Sequence, residues 1–170
     1  MELKQYQKDV VSSVKQFALM LDSKTTIQDT FQSYWEGQGV DVSKLFTDSL
    51  HAYKDTVPGV PRVTVKVPTA GGKTFIACNA LAPLAQICQK DRPNVIAWFV
   101  PSDAILKQTY KNLSNPDHPY RQRLNTIFGN NVVVLDKESA LQGQSLTPTK
   151  ILEQTTILVL SVSSFASADK

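Results

Sequence analysis

The chain has 170 residues, of which 42% are hydrophobic and 19% are charged, a composition that can bury a core and that excludes a disordered or fibrous protein. Its formal net charge of +3 neither supports nor excludes a polynucleotide partner, because domains that bind through bulk electrostatics are usually more basic. No apolar stretch approaches the roughly 18 residues of a membrane helix and the N-terminus lacks an apolar signal region, so we expect a cytoplasmic protein that is neither exported nor inserted into a membrane.

The first 60 residues are predicted to form a helical segment. Apolar residues recur at three- and four-residue spacing over residues 3–22, which predicts an amphipathic helix. Shorter helices are expected over 27–35 and 43–53. The prolines of segment 58–61 then end the helical segment and precede a strand.

A phosphate-binding loop is predicted next. The β-branched run 63–67 predicts a strand and an apolar run predicts a helix over 73–89, with the loop Pro68-Thr69-Ala70-Gly71-Gly72-Lys73-Thr74 between them. In such a unit the glycine amides converge on an anion and the helix N-terminus adds positive charge. Lys73 would neutralise the β- and γ-phosphates of a nucleotide, and the Thr74 hydroxyl would ligate Mg²⁺. The strict consensus has Gly where Val67 stands, and the alternative is an ordinary turn with a capping threonine.

Strands and helices alternate through the rest of the second predicted domain, residues 61–170. The expected strands are 94–100, 131–135 and 156–162, and the expected helices are 103–113, 118–127 and 147–153, with a polar loop before the last of these helices. Near-continuous apolar strands predict a parallel sheet buried on both faces. We therefore expect an α/β fold whose ligands collect beyond the carboxyl ends of the strands.

Two pairs of residues and one histidine have predicted structural roles in this stretch. Cys78 and Cys88 lie ten residues apart on the helix after the loop and so on different faces, which disfavours a disulfide and predicts reduced core thiols. We expect His118 to begin a helix. Arg121 and Arg123 are expected to be solvated or to touch DNA lightly.

Two further segments could hold a second anion. Pro101 ends a predicted strand, and Ser102 is placed to cap the following helix, whose first amides would face the same rim of the sheet as the phosphate loop. Ser161, Ser163 and Ser164 follow the last strand, where short hydroxyls suit phosphate oxygens. The alternatives are a plain strand–helix turn at Ser102 and ordinary serines at a strand end.

Several spaced segments together resemble the start of one family. The loop resembles motif I of superfamily-two helicases, and Leu3-Lys4-Gln5-Tyr6-Gln7 resembles their upstream adenine-recognition segment. Pro101, Ile105 and Gln108 match their strand-contacting pattern Pro-x-x-x-Leu-x-x-Gln. With segments 57–61, 98–102, 115–121 and 160–165, nearly the whole chain resembles the first RecA-like P-loop motor domain of a type III restriction enzyme Res-subunit-like DEAD/DEAH-box helicase.

The resemblance implies an ATP-dependent DNA helicase or translocase, a hydrolase of a restriction-modification system that feeds an endonuclease. Its cofactors would be ATP and Mg²⁺, and its partners would be double-stranded DNA and a modification methyltransferase subunit. It implies that Gln7 offers its amide to the adenine edge and that Lys73 is catalytic. The residues that it places on DNA are Pro101, Ser102, Gln108 and Ser161.

Departures and absences limit the implied mechanism. The family has Ala or Gly at Val67, Gly at Ala70, and often Arg at Asp103, so a possible phosphate partner is missing. Hydrolysis in that family needs an Asp-Glu motif at a later strand end, and no Asp-Glu pair occurs in this sequence, while Asp136 and Glu138 are expected to be loop residues. We therefore expect an incomplete motor domain, the first part of a longer protein, that binds ATP weakly and turns it over very slowly or not at all. The alternatives are a non-catalytic nucleotide-binding module and a P-loop phosphotransferase.

Overall fold

The computed structural model forms two compact units, which we call the N-terminal unit (Glu2–Ile76) and the C-terminal unit (Ala77–Lys170). The boundary between them falls inside a helix. No helix among the described residues is long and apolar enough to cross a bilayer. The structure describes residues 1–23, 26–42, 50–88, 95–143 and 146–163.

Two predicted helices begin the N-terminal unit and are confirmed as α1 (Gln5–Ser23) and α2 (Ile27–Gly37). Thr26 begins α2 because its hydroxyl accepts a hydrogen bond from a first-turn backbone N–H at 3.0 Å, the usual way to satisfy a donor that has no partner within the helix. The two helices meet through aromatic side chains: buried Phe17 packs edge-on against Tyr34, with ring centroids 5.7 Å apart.

The segment after α2 departs from the sequence predictions. Most of the helix predicted over 43–53 lies outside the described residues, and its last part, 50–53, is not helical. The strand predicted over 63–67 is not formed, and Val63 and Val65 are 50% and 43% exposed. A β-branched run becomes a strand only when another strand exchanges hydrogen bonds with it, and the sheet in the described part of the chain pairs three other strands.

The helix predicted over 73–89 is confirmed as α3 (Lys73–Cys88). Cys78 is a free, buried thiol on this helix, as predicted, and burial raises its pKa to about 12. Such a thiol carries almost no thiolate near neutral pH and is therefore unreactive. The side chain of Cys88 lies outside the described residues.

The C-terminal unit contains a three-stranded parallel sheet flanked by helices. Its strands β1 (Val95–Val100), β2 (Val132–Leu135) and β3 (Thr155–Ser161) lie in the order β1-β3-β2, with Trp98 paired to Val159 and Val134 paired to Ile157. The predicted α/β class with a parallel sheet is therefore confirmed. After α3, the elements are β1 (Val95–Val100), α4 (Asp103–Ser114), α5 (Pro119–Ile127), β2 (Val132–Leu135), α6 (Lys137–Leu141), α7 (Pro148–Glu153) and β3 (Thr155–Ser161).

One face of this sheet carries the core of the C-terminal unit, together with residues of α3, α4 and α5. Its buried members are Cys78, Leu113, Leu124, Val132, Val134, Ile157 and Val159. The central strand β3 is buried along nearly its whole length, as predicted for a strand covered on both faces. The same prediction is wrong for β1, where Phe99 is 54% exposed and Val95 is 39% exposed, because these alternate residues lie on the sheet face opposite the one where Ile96 and Trp98 pack on the core.

The short helix α6 replaces part of the predicted polar loop. Asp136 is its N-cap and accepts a hydrogen bond from Ser139 N at 2.8 Å. Hydrogen bonds from the Ser139 side chain and backbone hold the pKa of Asp136 below its ordinary value. Glu138 lies in the first turn of α6. The prediction of a loop is therefore wrong for Glu138, because the carboxylate cap starts a helix at this point, whereas Asp136 itself precedes the helix.

Arg121 and Arg123 on α5 are not simply solvated, contrary to expectation. Arg121 is half-buried, and its guanidinium donates to Val132 O at 2.8 Å and to Leu113 O at 3.4 Å. Arg123 Nε donates to Asn79 Oδ1 at 2.7 Å. Both arginines therefore connect α5 to neighbouring elements of the same unit.

Candidate functional site

The predicted phosphate-binding loop folds into a tight turn at the end of the irregular segment. Gly71 N donates to Pro68 O at 3.0 Å and closes the turn. Ala70 has φ +60° and Gly72 has φ +75°, so two residues adopt the left-handed conformation. That conformation costs a residue with a Cβ roughly 1–2 kcal/mol, which explains why glycine is favoured at the position of Ala70.

Close contacts favour glycine at both positions of the loop, and Gly72 is also favoured by its positive φ. A Cβ at Gly71 would lie 2.5 Å from Val67 Cγ1 and 2.9 Å from Pro68 O. A Cβ at Gly72 would lie 2.6 Å from Gln7 Nε2. The loop thus packs so closely that no larger residue fits at either position without a shift.

Lys73 folds back over the loop that it follows. Its Nζ donates to Pro68 O at 3.0 Å, and the side chain is exposed. The ammonium is therefore held above the turn by one carbonyl, in a place where an anion bound to the loop could replace that carbonyl as its partner.

The N-terminus of α3 supplies further donors next to this lysine. The first helical turn closes where Ile76 N donates to Gly72 O at 2.9 Å. The amides of Lys73 and Thr74 precede that bond and have no acceptor within the helix, so they form an anion-attracting end. Thr74 is partly buried in this first turn, and Thr69 is exposed in the turn before it.

Two side chains of α1 hold the loop from one side. Tyr6 Oη donates to Gly71 O at 2.7 Å, and Gln7 Nε2 donates to the same oxygen at 3.0 Å. Gln7 Oε1 accepts a hydrogen bond from Lys4 N at 2.9 Å, and Gln7 is only 7% exposed. In this arrangement the amide of Gln7 supports the loop, while its contact with adenine stays a prediction. Sequence reasoning assigned Tyr6 no role, although it stands in the segment that resembles the adenine-recognition motif.

The four residues predicted to contact DNA lie in the C-terminal unit and have different surroundings. Pro101 and Gln108 are exposed. Ser102 is the N-cap residue of α4, with φ −147° and ψ 162°, but its side chain makes no capping hydrogen bond. Ser161 is only 1% exposed.

Ser161 belongs to a small hydrogen-bonded cluster with Asp103 and Ser163. The Ser161 hydroxyl donates to Asp103 Oδ1 at 2.6 Å, and Ser163 Oγ donates to the same oxygen at 3.1 Å. These two hydrogen bonds hold the pKa of Asp103 below its ordinary value, and the one from Ser161 has the larger effect. The carboxylate of Asp103 thus occupies the start of α4, where the sequence predicted a second anion site. Ser164, the third serine of that prediction, lies outside the described residues.

The donor set of the loop suits a polyphosphate, whereas the described residues offer few ligands for a metal. Among them, no three His, Cys, Asp or Glu side chains converge to hold a metal ion. Thr74 is the predicted Mg²⁺ ligand, and a cation there would need oxygen ligands from the phosphates and from water as well.

The chain was compared with protein-family models, with curated proteins and with solved structures. No family model, no curated protein and no solved structure matches it.

Proposed function

We propose that the loop from Thr69 to Thr74 binds the phosphates of ATP with Mg²⁺, and that the chain is the ATP-binding portion of a DNA translocase of the type III restriction class. The observation that carries the proposal is the Lys73 ammonium, which lies 3.0 Å from Pro68 O in a turn where a Cβ at Gly71 or Gly72 would meet another atom at 2.5 or 2.6 Å. The ammonium belongs to the first residue of α3, and the first-turn amides and positive N-terminal end of that helix also attract a phosphate.

The test is equilibrium binding of a fluorescent ATP analogue in the presence of Mg²⁺, with the full chain. Lys73→Ala should weaken binding by at least about a hundredfold, because it removes the full charge among the phosphate ligands. Lys111→Ala, which removes an exposed lysine of α4, is the charge-matched control and should bind as the parent does. Equal affinity of Lys73→Ala and the parent chain would refute nucleotide binding by this loop.

A non-catalytic nucleotide-binding module is the second candidate, and one observation favours it. The sequence has no Asp-Glu pair, and Asp136 accepts a hydrogen bond from Ser139 N as the N-cap of α6. Hydrolysis needs a carboxylate to hold the Mg²⁺ hydration shell and a group to orient the attacking water. Phosphate release in the presence of duplex DNA distinguishes the two candidates, since a module of this kind binds ATP without stimulated turnover.

Double-stranded DNA is the proposed macromolecular partner, and a modification methyltransferase subunit is the proposed protein partner. The exposed pair Pro101 and Gln108 is the support on this chain for a DNA surface. Gln108→Ala should weaken duplex binding in a filter or anisotropy assay by about two- to fivefold, as expected for loss of one polar contact. Unchanged duplex affinity would remove Gln108 from that surface.

A further inference from the structure

A groove of about 340 Å³ opens in the N-terminal unit, away from the glycines of the loop. It lies between α1, α2 and the irregular segment 62–66. Its volume falls within the range of small-molecule sites, and most of its lining is apolar. The lining residues from the two helices that matter here are Asp9, Ser13, Phe17, Phe31, Tyr34 and Trp35.

Aromatic rings line one side of this groove and hold each other in place. Tyr34 packs edge-on against Phe17 at 5.7 Å and against Trp35 at 5.3 Å. Phe31 contacts Trp35 at 6.3 Å, also edge-on. Tyr34 and Trp35 are only partly buried, so ring surface remains open to a flat ligand.

Polar and charged groups lie among these rings. Arg62 and Lys66 line the groove from the irregular segment, and Asp9 and Ser13 line it from α1. Tyr53 fixes the start of the segment, because its hydroxyl accepts a hydrogen bond from Arg62 N at 2.8 Å. The groove therefore offers stacking surface, hydrogen-bonding groups for a ring edge, and two cations that suit an anionic ligand.

Two continuous pieces of chain join the groove to the phosphate-binding loop. On α1, Gln7, Val10, Val14 and Phe17 share one helix face by their three- and four-residue spacing. Gln7 contacts the loop, and the other three line the groove. The irregular segment likewise ends at Lys66, two residues before Pro68 begins the loop. The near end of the groove thus lies less than one helical turn from the residue that holds Gly71.

We propose that this groove receives the base and sugar of the nucleotide whose phosphates the loop binds, an inference that rests on the proposed function. Gln7 donates to Gly71 O, accepts from Lys4 N and is only 7% exposed, so it offers a base no surface for stacking. Tyr34 and Trp35 provide the stacking surface, and Asp9 and Ser13 provide partners for the base edge. Arg62 and Lys66 also line the groove and attract an anionic nucleotide to it.

The test compares ATP with inorganic tripolyphosphate, which offers the same phosphates without a base. Ser13→Trp fills the groove from an exposed position without removing any core contact, and Ser12→Trp places the same ring one residue away, outside the lining. Ser13→Trp should weaken Mg²⁺–ATP binding at least about tenfold and leave tripolyphosphate binding unchanged, whereas Ser12→Trp should change neither.

A second measurement uses the intact groove. In a Trp98→Phe background Trp35 is the remaining tryptophan, since the sequence has two. ATP should quench its fluorescence, and tripolyphosphate should displace ATP without quenching. If ATP binding requires Lys73 but is unaffected by Ser13→Trp and does not quench Trp35, the base lies elsewhere while the proposed function stands. If neither ATP nor tripolyphosphate binds the parent chain, the proposed function and this inference both fail.

Discussion

Different kinds of interaction stabilise the interior of the C-terminal unit and the loop of the N-terminal unit. In the C-terminal unit, apolar side chains such as Leu113 and Ile157 are fully buried against one face of a parallel sheet. In the N-terminal unit, the loop is held by hydrogen bonds from Tyr6 and Gln7, which are more than 60 residues away in sequence, to the Gly71 carbonyl. The core is stabilised by buried apolar area, so a cavity within it lowers stability. The loop is held by a few hydrogen bonds, so removing a single donor atom changes it.

The largest loss of stability is expected in the core of the C-terminal unit. Ile157→Ala should lower the free energy of unfolding by about 3–4 kcal/mol, because it leaves a cavity in the central strand. Urea unfolding followed by circular dichroism measures the change. Leu152→Ala, at a position 71% exposed, is the control and should lose less than about 0.5 kcal/mol. Similar losses in the two variants would show that this sheet face is not the core.

The second effect tests close packing in the loop. Gly72→Ala should lower stability by about 2–3 kcal/mol and weaken ATP binding, because its Cβ would meet Gln7 Nε2 at 2.6 Å in addition to the left-handed strain. Gly39→Ala is a matched control, since Gly39 has φ +77° and open space around it. Gly39→Ala should lower the free energy of unfolding by about 1 kcal/mol, because it adds only the left-handed strain. Equal losses of stability in the two variants would mean that Gln7 does not pack closely against Gly72.

A smaller effect of opposite sign is expected at the neighbouring position. Ala70→Gly should raise the free energy of unfolding by about 0.5–1 kcal/mol, because it relieves a left-handed alanine at φ +60°. Thr69→Gly, one residue earlier at an exposed position without positive φ, should instead lose about 0.5–1 kcal/mol of stability through the greater freedom of the unfolded chain. Thermal unfolding at matched pH gives both values, and a loss for Ala70→Gly would contradict the strain.

The smallest effect is a pH dependence in the C-terminal unit. The folded-state pKa of Asp103 lies below its unfolded value, so the carboxylate contributes stability above the unfolded value and loses that contribution as the pH falls through the folded value. The stability difference between the parent chain and Asp103→Asn should therefore be constant near neutral pH and shrink below about pH 4. A difference that persists unchanged at acid pH would show that the serines do not stabilise the charged form.

Local patterns account for what the sequence predicted correctly. The helices α1 to α5 and the three strands follow from apolar spacing and from caps such as Thr26, which depend on neighbours a few residues away. The strand expected at 63–67 depended on a distant partner, which no local pattern specifies. The helix α6 was missed because five residues are too few for a periodic signal, and its start depends on Asp136.

The candidate site shows the same division. The turn, the two glycines and the position of Lys73 at the start of a helix follow from the sequence of the loop itself. The double hydrogen bond from Tyr6 and Gln7 and the burial of Ser161 depend on which elements pack together. The residue types were visible in the sequence, while their partners were set by the fold.

The two hydrogen bonds to the Gly71 carbonyl also fix the orientation of the peptide group between Gly71 and Gly72. A trans peptide is planar, with its C=O and the following N–H pointing in opposite directions. Because Tyr6 and Gln7 hold the oxygen on the side of α1, the Gly72 N–H is aimed to the other side and resists a peptide flip. A donor aimed in advance costs an incoming anion no reorientation, so a Tyr6→Phe, Gln7→Leu double variant should bind phosphate groups more slowly as well as more weakly.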